Sequence, residues 1–286
     1  MKIKPDLYLK GVFMGIAEII PGVSGGTIAF ITGIYEELID SIKSFNSRSL
    51  KLLLTLKFSS FWKEINGSFL ITLILGMLTS ILILSRFIVY LIADHPFKIW
   101  GFFFGLIIAS AILIFHQIQK FSITVLLSFV IGLSISSYIA LQAPSSTPNT
   151  NFFIFMSGAI AISAMILPGI SGSFILVFLS KYEFILKALN SFDTAVISIF
   201  LAGCVVGLVT FSRVFSYPFK KYNDVVISVL VGFLVGSLFK IWPFYEVLEY
   251  NSSNEPKYTS PILPTAYQSN DLIFFFTFGV IGFVSM

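Results

Sequence analysis

Residues 17–38 read AEIIPGVSGGTIAFITGIYEEL, and residues 166–186 read ILPGISGSFILVFLSKYEFIL. Each is an apolar segment cut near its middle by Pro-Gly-x-Ser-Gly. Pro21 aligns with Pro168, Gly22 with Gly169, Ser24 with Ser171, Gly25 with Gly172, Tyr35 with Tyr182 and Glu36 with Glu183. Proline removes a backbone donor and clashes with the preceding turn, and the glycines favour non-helical backbone. A single proline kink is ordinary in a membrane helix, but the same break in two matched segments is the mark of an internal repeat. A second echo supports it: Ser85-Arg86 matches Ser212-Arg213, Gly105 matches Gly232, and Ser110 matches Ser237. The polar stretch QAPSSTPNTN, residues 142–151, separates the halves. The chain therefore reads as one transmembrane domain over 1–286, with a first repeat over 1–141 and a second over 152–286.

Composition supplies the solvent. Hydrophobic residues make up 56% of the chain and charged residues 11%, with a mean hydropathy of +0.94. A soluble domain carries about 25% charged residues, so this chain cannot clothe a surface in water. Runs near 67–91, 98–116, 121–141, 193–216 and 223–242 approach or exceed the roughly 20 apolar residues a span needs. A last run from Asp271 to Met286 is short for a span and reads as clipped. Lys2, Lys4 and Lys10 precede an apolar stretch without a small-residue cleavage site, which reads as a mature end rather than a signal peptide. Cys204 is the one cysteine, and His95 and His116 are scattered, so neither a disulfide nor a metal site is expected, and no cofactor. The net charge of +4 is better explained by the Lys and Arg bias of cytoplasmic loops than by nucleic acid.

That bias decides the path of the Pro-Gly segments. With the N-terminus cytoplasmic and both segments re-entrant, twelve of the 18 Lys and Arg residues lie inside and five outside, Arg86 being within a span. If both segments crossed, the tally would reverse to seven and ten. Cytoplasmic enrichment favours the hairpins. Each half then has one re-entrant hairpin and three crossings, and an odd number inverts the second half. The expected fold is all-α: a polytopic membrane protein of two inverted repeats, each a re-entrant Pro-Gly helical hairpin plus three transmembrane helices. Inverted repeats with helices broken at mid-depth are a transporter signature.

Irregular backbone at membrane depth must be buried in protein or line a wet cavity. At each tip the first amides of a half-helix, with its dipole, favour an anion. The candidate substrate-binding residues are Ser24, Gly25, Gly26 and Thr27 at one tip, and Ser171, Gly172 and Ser173 at the other. Pro21, Gly22, Pro168 and Gly169 make the breaks. The competing reading is a small-residue packing seam. Arg86 and Arg213 lie late in apolar runs and can fork onto phosphate; snorkelling to the interface competes. Their matched positions in inverted halves would place them towards opposite faces. Glu18 precedes the first break, whereas its repeat counterpart is Met165. A carboxylate alone at that depth can carry a proton near neutral pH, which suggests proton coupling; capping of backbone amides competes. Tyr35, Tyr182, Trp62, Trp100 and Trp242 read as interfacial anchors. The polar loop 240–270 reads as a small external cap or disorder.

The strings AEIIPGVSGGTIAFITGIYEEL and ILPGISGSF resemble the bacterial polyprenyl-phosphate transporter family of the PopT type, formerly a domain of unknown function, and the resemblance runs over nearly the whole chain. It implies a flippase that returns undecaprenyl phosphate, or a related polyprenyl phosphate, across the cytoplasmic membrane for carrier-lipid recycling. It also implies that Glu18, Pro21, Gly22, Ser24, Gly25, Gly26, Pro168, Gly169, Ser171 and Gly172 are motif positions, the acidic one being more often Asp in the family. The resemblance implies the polyprenyl-phosphate lipid and the bilayer as partners; protons are expected only through the Glu18 reading, and a homodimer is a separate expectation. One rival is a membrane undecaprenyl-diphosphate phosphatase, which resembles this chain in architecture. Such enzymes need clustered acidic residues and an Arg close after the motif serine. Here Gly25 and Gly172 follow the serines, and Glu18 has Met14 and Gly22 one turn away, so no enzyme is expected. A transporter of a small soluble anion is the other rival.

Overall fold

The computed structural model of the chain describes residues 4–20, 23–142, 147–250, 256–264 and 267–286. Residues Pro5–Ile19 form α1, Gly25–Ile31 α2 and Tyr35–Lys43 α3, followed by the short α4 (Ser47–Leu54) and α5 (Phe58–Glu64). Three long helices come next: α6 (Gly67–Asp94), α7 (Pro96–Phe115) and α8 (Ile123–Leu141). The second half repeats the order with α9 (Asn151–Ile166), α10 (Gly172–Phe178), α11 (Tyr182–Asn190), α12 (Thr194–Lys221) and α13 (Asn223–Ile241). Strands β1 (Tyr245–Tyr250) and β2 (Pro256–Pro261) then precede α14 (Ser269–Val284).

Among the described residues five helices are long and apolar enough to cross a membrane: α6, α7, α8, α12 and α13. They coincide with the expected runs, because continuous apolar sequence of that length stays helical where lipid offers no other backbone partner. Helices α9 and α14 are apolar but shorter. Local signals set several starts: the Asn46 side chain caps α4, Ser122 caps α8 and Asp193 caps α12. The strand pair departs from a purely helical chain. It occupies the loop expected as a cap, pairs antiparallel with Tyr245 opposite Pro261, and is rich in the aromatic and β-branched residues that suit strands. Beneath it, buried Phe244 packs between Phe97, Trp242, Tyr267 and Phe275.

Small residues fix the helix pairs. Gly11 abuts Leu73 and Gly15 abuts Met77 and Ser80, so α1 runs beside α6 in the same direction. Gly158 abuts Phe200 and Gly207 abuts Ala159, so α9 runs beside α12 in the same direction too. Helix α8 pairs with α13, where Ser228 Oγ donates to Val125 O (2.6 Å) and Ser136 Oγ to Phe233 O (2.9 Å). Helix α7 pairs with α14 through Gly101, Gly105 and Gly279. Thus α7 of the first half packs on α14 of the second, and α8 of the first on α13 of the second. Helices α7 and α13 run oppositely: Asp224 at the start of α13 accepts from the amides of Gln119 and Lys120 beyond the end of α7, and Trp242 beyond α13 packs on Phe104 with the rings tilted.

Candidate functional site

Both apolar segments are interrupted and turn back on themselves. Helix α1 stops at Ile19, and α2 starts at Gly25. Lys10 Nζ donates to Thr32 O (3.0 Å) and the Gly25 amide to Glu18 Oε1 (2.7 Å), so α2 runs back along α1. Pro21 and Gly22 lie outside the described residues. In the second half α9 stops at Ile166, the buried Pro168 and the half-buried Gly169 form a turn, and α10 starts at Gly172. Gly169 has φ +82°, a backbone state in which a side chain would be strained. Thr147 Oγ1 donates to Leu179 O (2.6 Å), so α10 runs back along α9.

The two breaks touch. Ser24 Oγ donates to Met165 O (2.8 Å), one of the last carbonyls of α9; such carbonyls lack a partner within their own helix. In return the Gly169 amide donates to Thr27 Oγ1 (2.9 Å). Gly26 lies against the Ile166 carbonyl, and an added Cβ would also stand 2.8 Å from Met165 O. Ser24, Thr27 and Ser171 are buried. A buried donor left unpaired would cost about 1–3 kcal/mol, so this exchange of bonds ties one break to the other.

The breaks are finished differently. At the first, Ser24 is in extended conformation and its Oγ accepts from the Gly26 amide (3.1 Å), a helix N-cap. Glu18 accepts from the Gly25 amide, so the carboxylate sits where an anion at that helix start would sit. At the second, Ser171 Oγ pairs with Ser173 Oγ (2.8 Å), and among the described residues no side chain caps α10. Gly172 packs against the carbonyl of Ala161 and the Met165 side chain. Beside this break is a cavity of about 10 Å³ lined by Ser136, Gly169, Ser171, Phe174, Ser237 and Lys240, room for about one water. Lys240 Nζ lies 4.2 Å from the centroid of the Phe174 ring.

The structure therefore brings together Glu18, Ser24, Gly25, Gly26 and Thr27 with Pro168, Gly169, Ser171, Gly172 and Ser173. It does not bring the arginines there. Arg213 is exposed on α12 and its Nη2 donates to Phe45 O (3.2 Å), beyond the end of α3. Arg86 is exposed on α6 with no hydrogen-bond partner among the described residues. Tyr35 is no interfacial anchor: it is buried against Phe30, Phe215 and Phe219. Residue types alone also missed the carbonyls of Met165 and Ile166, which are backbone groups, and Lys240. The match of Ser110 with Ser237 pointed at that stretch of α13 without naming the lysine.

A family model described as undecaprenyl phosphate translocase-like (VCA0040-like) matches residues 14–258. A polyprenyl-phosphate transporter of Vibrio cholerae serotype O1 is 45% identical over 250 residues, covering 87% of this chain and 81% of that protein. A polyprenyl-phosphate transporter of Staphylococcus aureus is 33% identical over 253 residues, covering 82% and 85% respectively. No solved structure matches.

Proposed function

The chain belongs to the undecaprenyl phosphate translocase-like family, and on that premise we propose that it carries a polyprenyl phosphate such as undecaprenyl phosphate between the leaflets of the bacterial cytoplasmic membrane. The observation that carries this reading is the contact between the two breaks, Ser24 to Met165 O and Gly169 to Thr27 Oγ1. Leaving a phosphate uncompensated in hydrocarbon would cost on the order of tens of kcal/mol. The prenyl tail can stay in lipid, so only the head needs polar partners. Two interrupted helices that meet inside the protein supply them without a wide aqueous pore. The relatives are named as transporters, not enzymes.

In this reading each half is a re-entrant hairpin plus three crossings, over 1–141 and 152–286, with the second half inverted and the N-terminus cytoplasmic. Support comes from α1 and α9 running parallel to α6 and α12, from the opposed directions of α7 and α13, and from the distribution of lysine and arginine. The head meets amides and hydroxyls of Ser24, Gly25, Gly26, Thr27, Ser171, Gly172 and Ser173. Arg86 and Arg213 serve opposite mouths. Lys240 adds a cation to the cavity beside the second break. Glu18 couples the step to protons: while charged it holds the Gly25 amide and repels a second anion, and a proton on it lets the phosphate approach.

The test is reconstitution in vesicles with a fluorescent polyprenyl phosphate, following leaflet exchange by quenching. Exchange above protein-free vesicles, slowed at least tenfold by Arg86→Ala or Arg213→Ala and made insensitive to a proton gradient by Glu18→Gln, is the expected result. Flux of inorganic phosphate without lipid exchange would replace this reading with a soluble-anion carrier. Phosphate release without exchange would replace it with a phosphatase.

A further inference from the structure

The feet of the two hairpins, where each returns to its own face, are not in the same state. Tyr35 and Tyr182 are matched positions, as are Phe45 and Phe192 at the same spacing, while Arg213 matches Arg86. At the first foot Tyr35 is 2% exposed. There Arg213 holds Phe45 O, Lys220 Nζ pairs with Asp40 Oδ2 at 2.6 Å, and Lys43 Nζ donates to Ser216 Oγ at 2.9 Å. Helix α3 is thereby fastened to α12 of the other half. At the second foot Tyr182 is 39% exposed and Phe192 82%, against 39% for Phe45. Helix α11 packs on α10 and α12, and among the described residues it has no packing on α6 comparable to that of α3 on α12. Phe192 has φ +54°, a strained state for a bulky side chain, whereas Phe45 does not share it. Among the described residues, Arg48 pairs with Glu64 and Arg213 with Phe45 O, while Arg86 has no partner and its matched residue, Phe192, is exposed.

We propose that Arg86 and the backbone carbonyl of Phe192 are the second copy of the Arg213–Phe45 latch, made when the first is broken. The inference rests on the inverted-repeat transporter reading. In such a protein the two halves exchange conformations as access alternates between faces, so a contact made in one half and open in the other identifies the pair that must swap. The swap trades one arginine–carbonyl bond for another, which keeps the two states close enough for a ligand to shift their populations. The exchange is unequal. Asp40 and Lys220 fall on Lys187 and Ala93, and Lys43 and Ser216 on Asn190 and Val89, so only the first foot has the extra ties. The state with the Arg213–Phe45 latch closed is therefore the resting one. In it the Arg86 guanidinium faces outward, available to a phosphate monoester head, and closure of the second foot passes it to Phe192 O.

Spin labels on matched sites read the swap directly. In a Cys204→Ser background, one pair carries labels at Phe45→Cys and Tyr217→Cys, the other at Phe192→Cys and Tyr90→Cys, Tyr90 and Tyr217 being matched too. In nanodiscs without added lipid phosphate, pulsed dipolar spectroscopy gives a short, narrow distance for the first pair and a long one for the second. Farnesyl phosphate produces a second population with the two exchanged. Arg213→Ala raises that population at least threefold without ligand. Arg86→Ala removes it, and Arg86→Lys, which keeps one donor, restores part of it. A second pair that never shortens, in Arg213→Ala or with farnesyl phosphate, overturns the latch even if vesicles still exchange lipid. Distances that swap in protein that exchanges no polyprenyl phosphate leave the latch standing and overturn the cargo.

Discussion

The first break brings its own carboxyl group, and the second does not. Glu18 sits on the Gly25 amide and Ser24 caps the Gly26 amide. At the matching place the second break has Met165 and, among the described residues, no side-chain cap, with Lys240 across a small cavity. The same motif thus serves two purposes. In one copy the serine and the carboxyl group hold the first amides of the helix that follows, and in the other no side chain among the described residues does so. Three departures from repetition set them apart: Glu18 against Met165, Gly26 against Ser173, and Thr27, which accepts from the Gly169 amide, against Phe174.

Gly26 gives the largest test. It stands where the second break has Ser173, and its neighbours are the carbonyls of Ile166 and Met165. Gly26→Ser, which makes the first break more like the second, forces those carbonyls away and costs about 3 kcal/mol, the upper part of the overpacking range. Lipid exchange should fall about 100-fold, since 1.4 kcal/mol is about a factor of ten. Ser173→Gly removes one hydroxyl pair and should cost about 1 kcal/mol. Thermal unfolding in detergent beside the exchange assay separates the two; equal losses would mean that the breaks are interchangeable.

The serines come next. Ser24→Ala strips the Met165 carbonyl of its donor and the Gly26 amide of its acceptor, inside a buried contact, and should cost about 2 kcal/mol. Ser171→Ala breaks only the pairing with Ser173 and should cost about 0.5–1 kcal/mol. The difference in unfolding temperature between these variants measures how much more the first break holds.

Much of this was legible before any coordinates. The long helices follow from continuous apolar runs, the interruptions from Pro-Gly, and the burial of the breaks from the requirement that irregular backbone at depth be covered. The partners were not legible, because Met165 and Ile166 contribute carbonyls, and every residue type carries one. Tyr35 was misread because an aromatic beside two glutamates looks the same at an interface as in a core; only α12, far along the chain, buries it. Arg86 and Arg213 were found as a matched pair, yet sequence cannot say whether such a side chain holds a ligand or a carbonyl. The loop that forms β1 and β2 reads only as a cap or disorder, because no local pattern announces their pairing.

Moving the carboxylate sharpens the contrast further. Met165→Glu gives the second break the anion of the first, next to Gly172. If a phosphate head uses that helix start, the fixed charge competes with it. Exchange should slow about tenfold, a cost of about 1.4 kcal/mol, with the unfolding temperature little changed. Unchanged exchange in folded Met165→Glu would mean that the second break never meets the head.

A small effect on stability and the most specific one on function belong to Glu18→Gln. Glutamine keeps an oxygen for the Gly25 amide, so the hydrogen bond survives while the charge goes. A charge-assisted bond becomes a neutral one, a loss of about 1 kcal/mol. If the proposed coupling holds, wild-type exchange runs faster with a proton gradient than without, and in Glu18→Gln the ratio of the two rates falls to one, because the residue that admits the phosphate is permanently neutral. Glu18→Ala is the control: it leaves the buried amide unpaired and should lower the unfolding temperature more than Glu18→Gln does. A gradient response that survives Glu18→Gln would reduce Glu18 to a cap on α2, and the difference between the breaks would then be structural rather than functional.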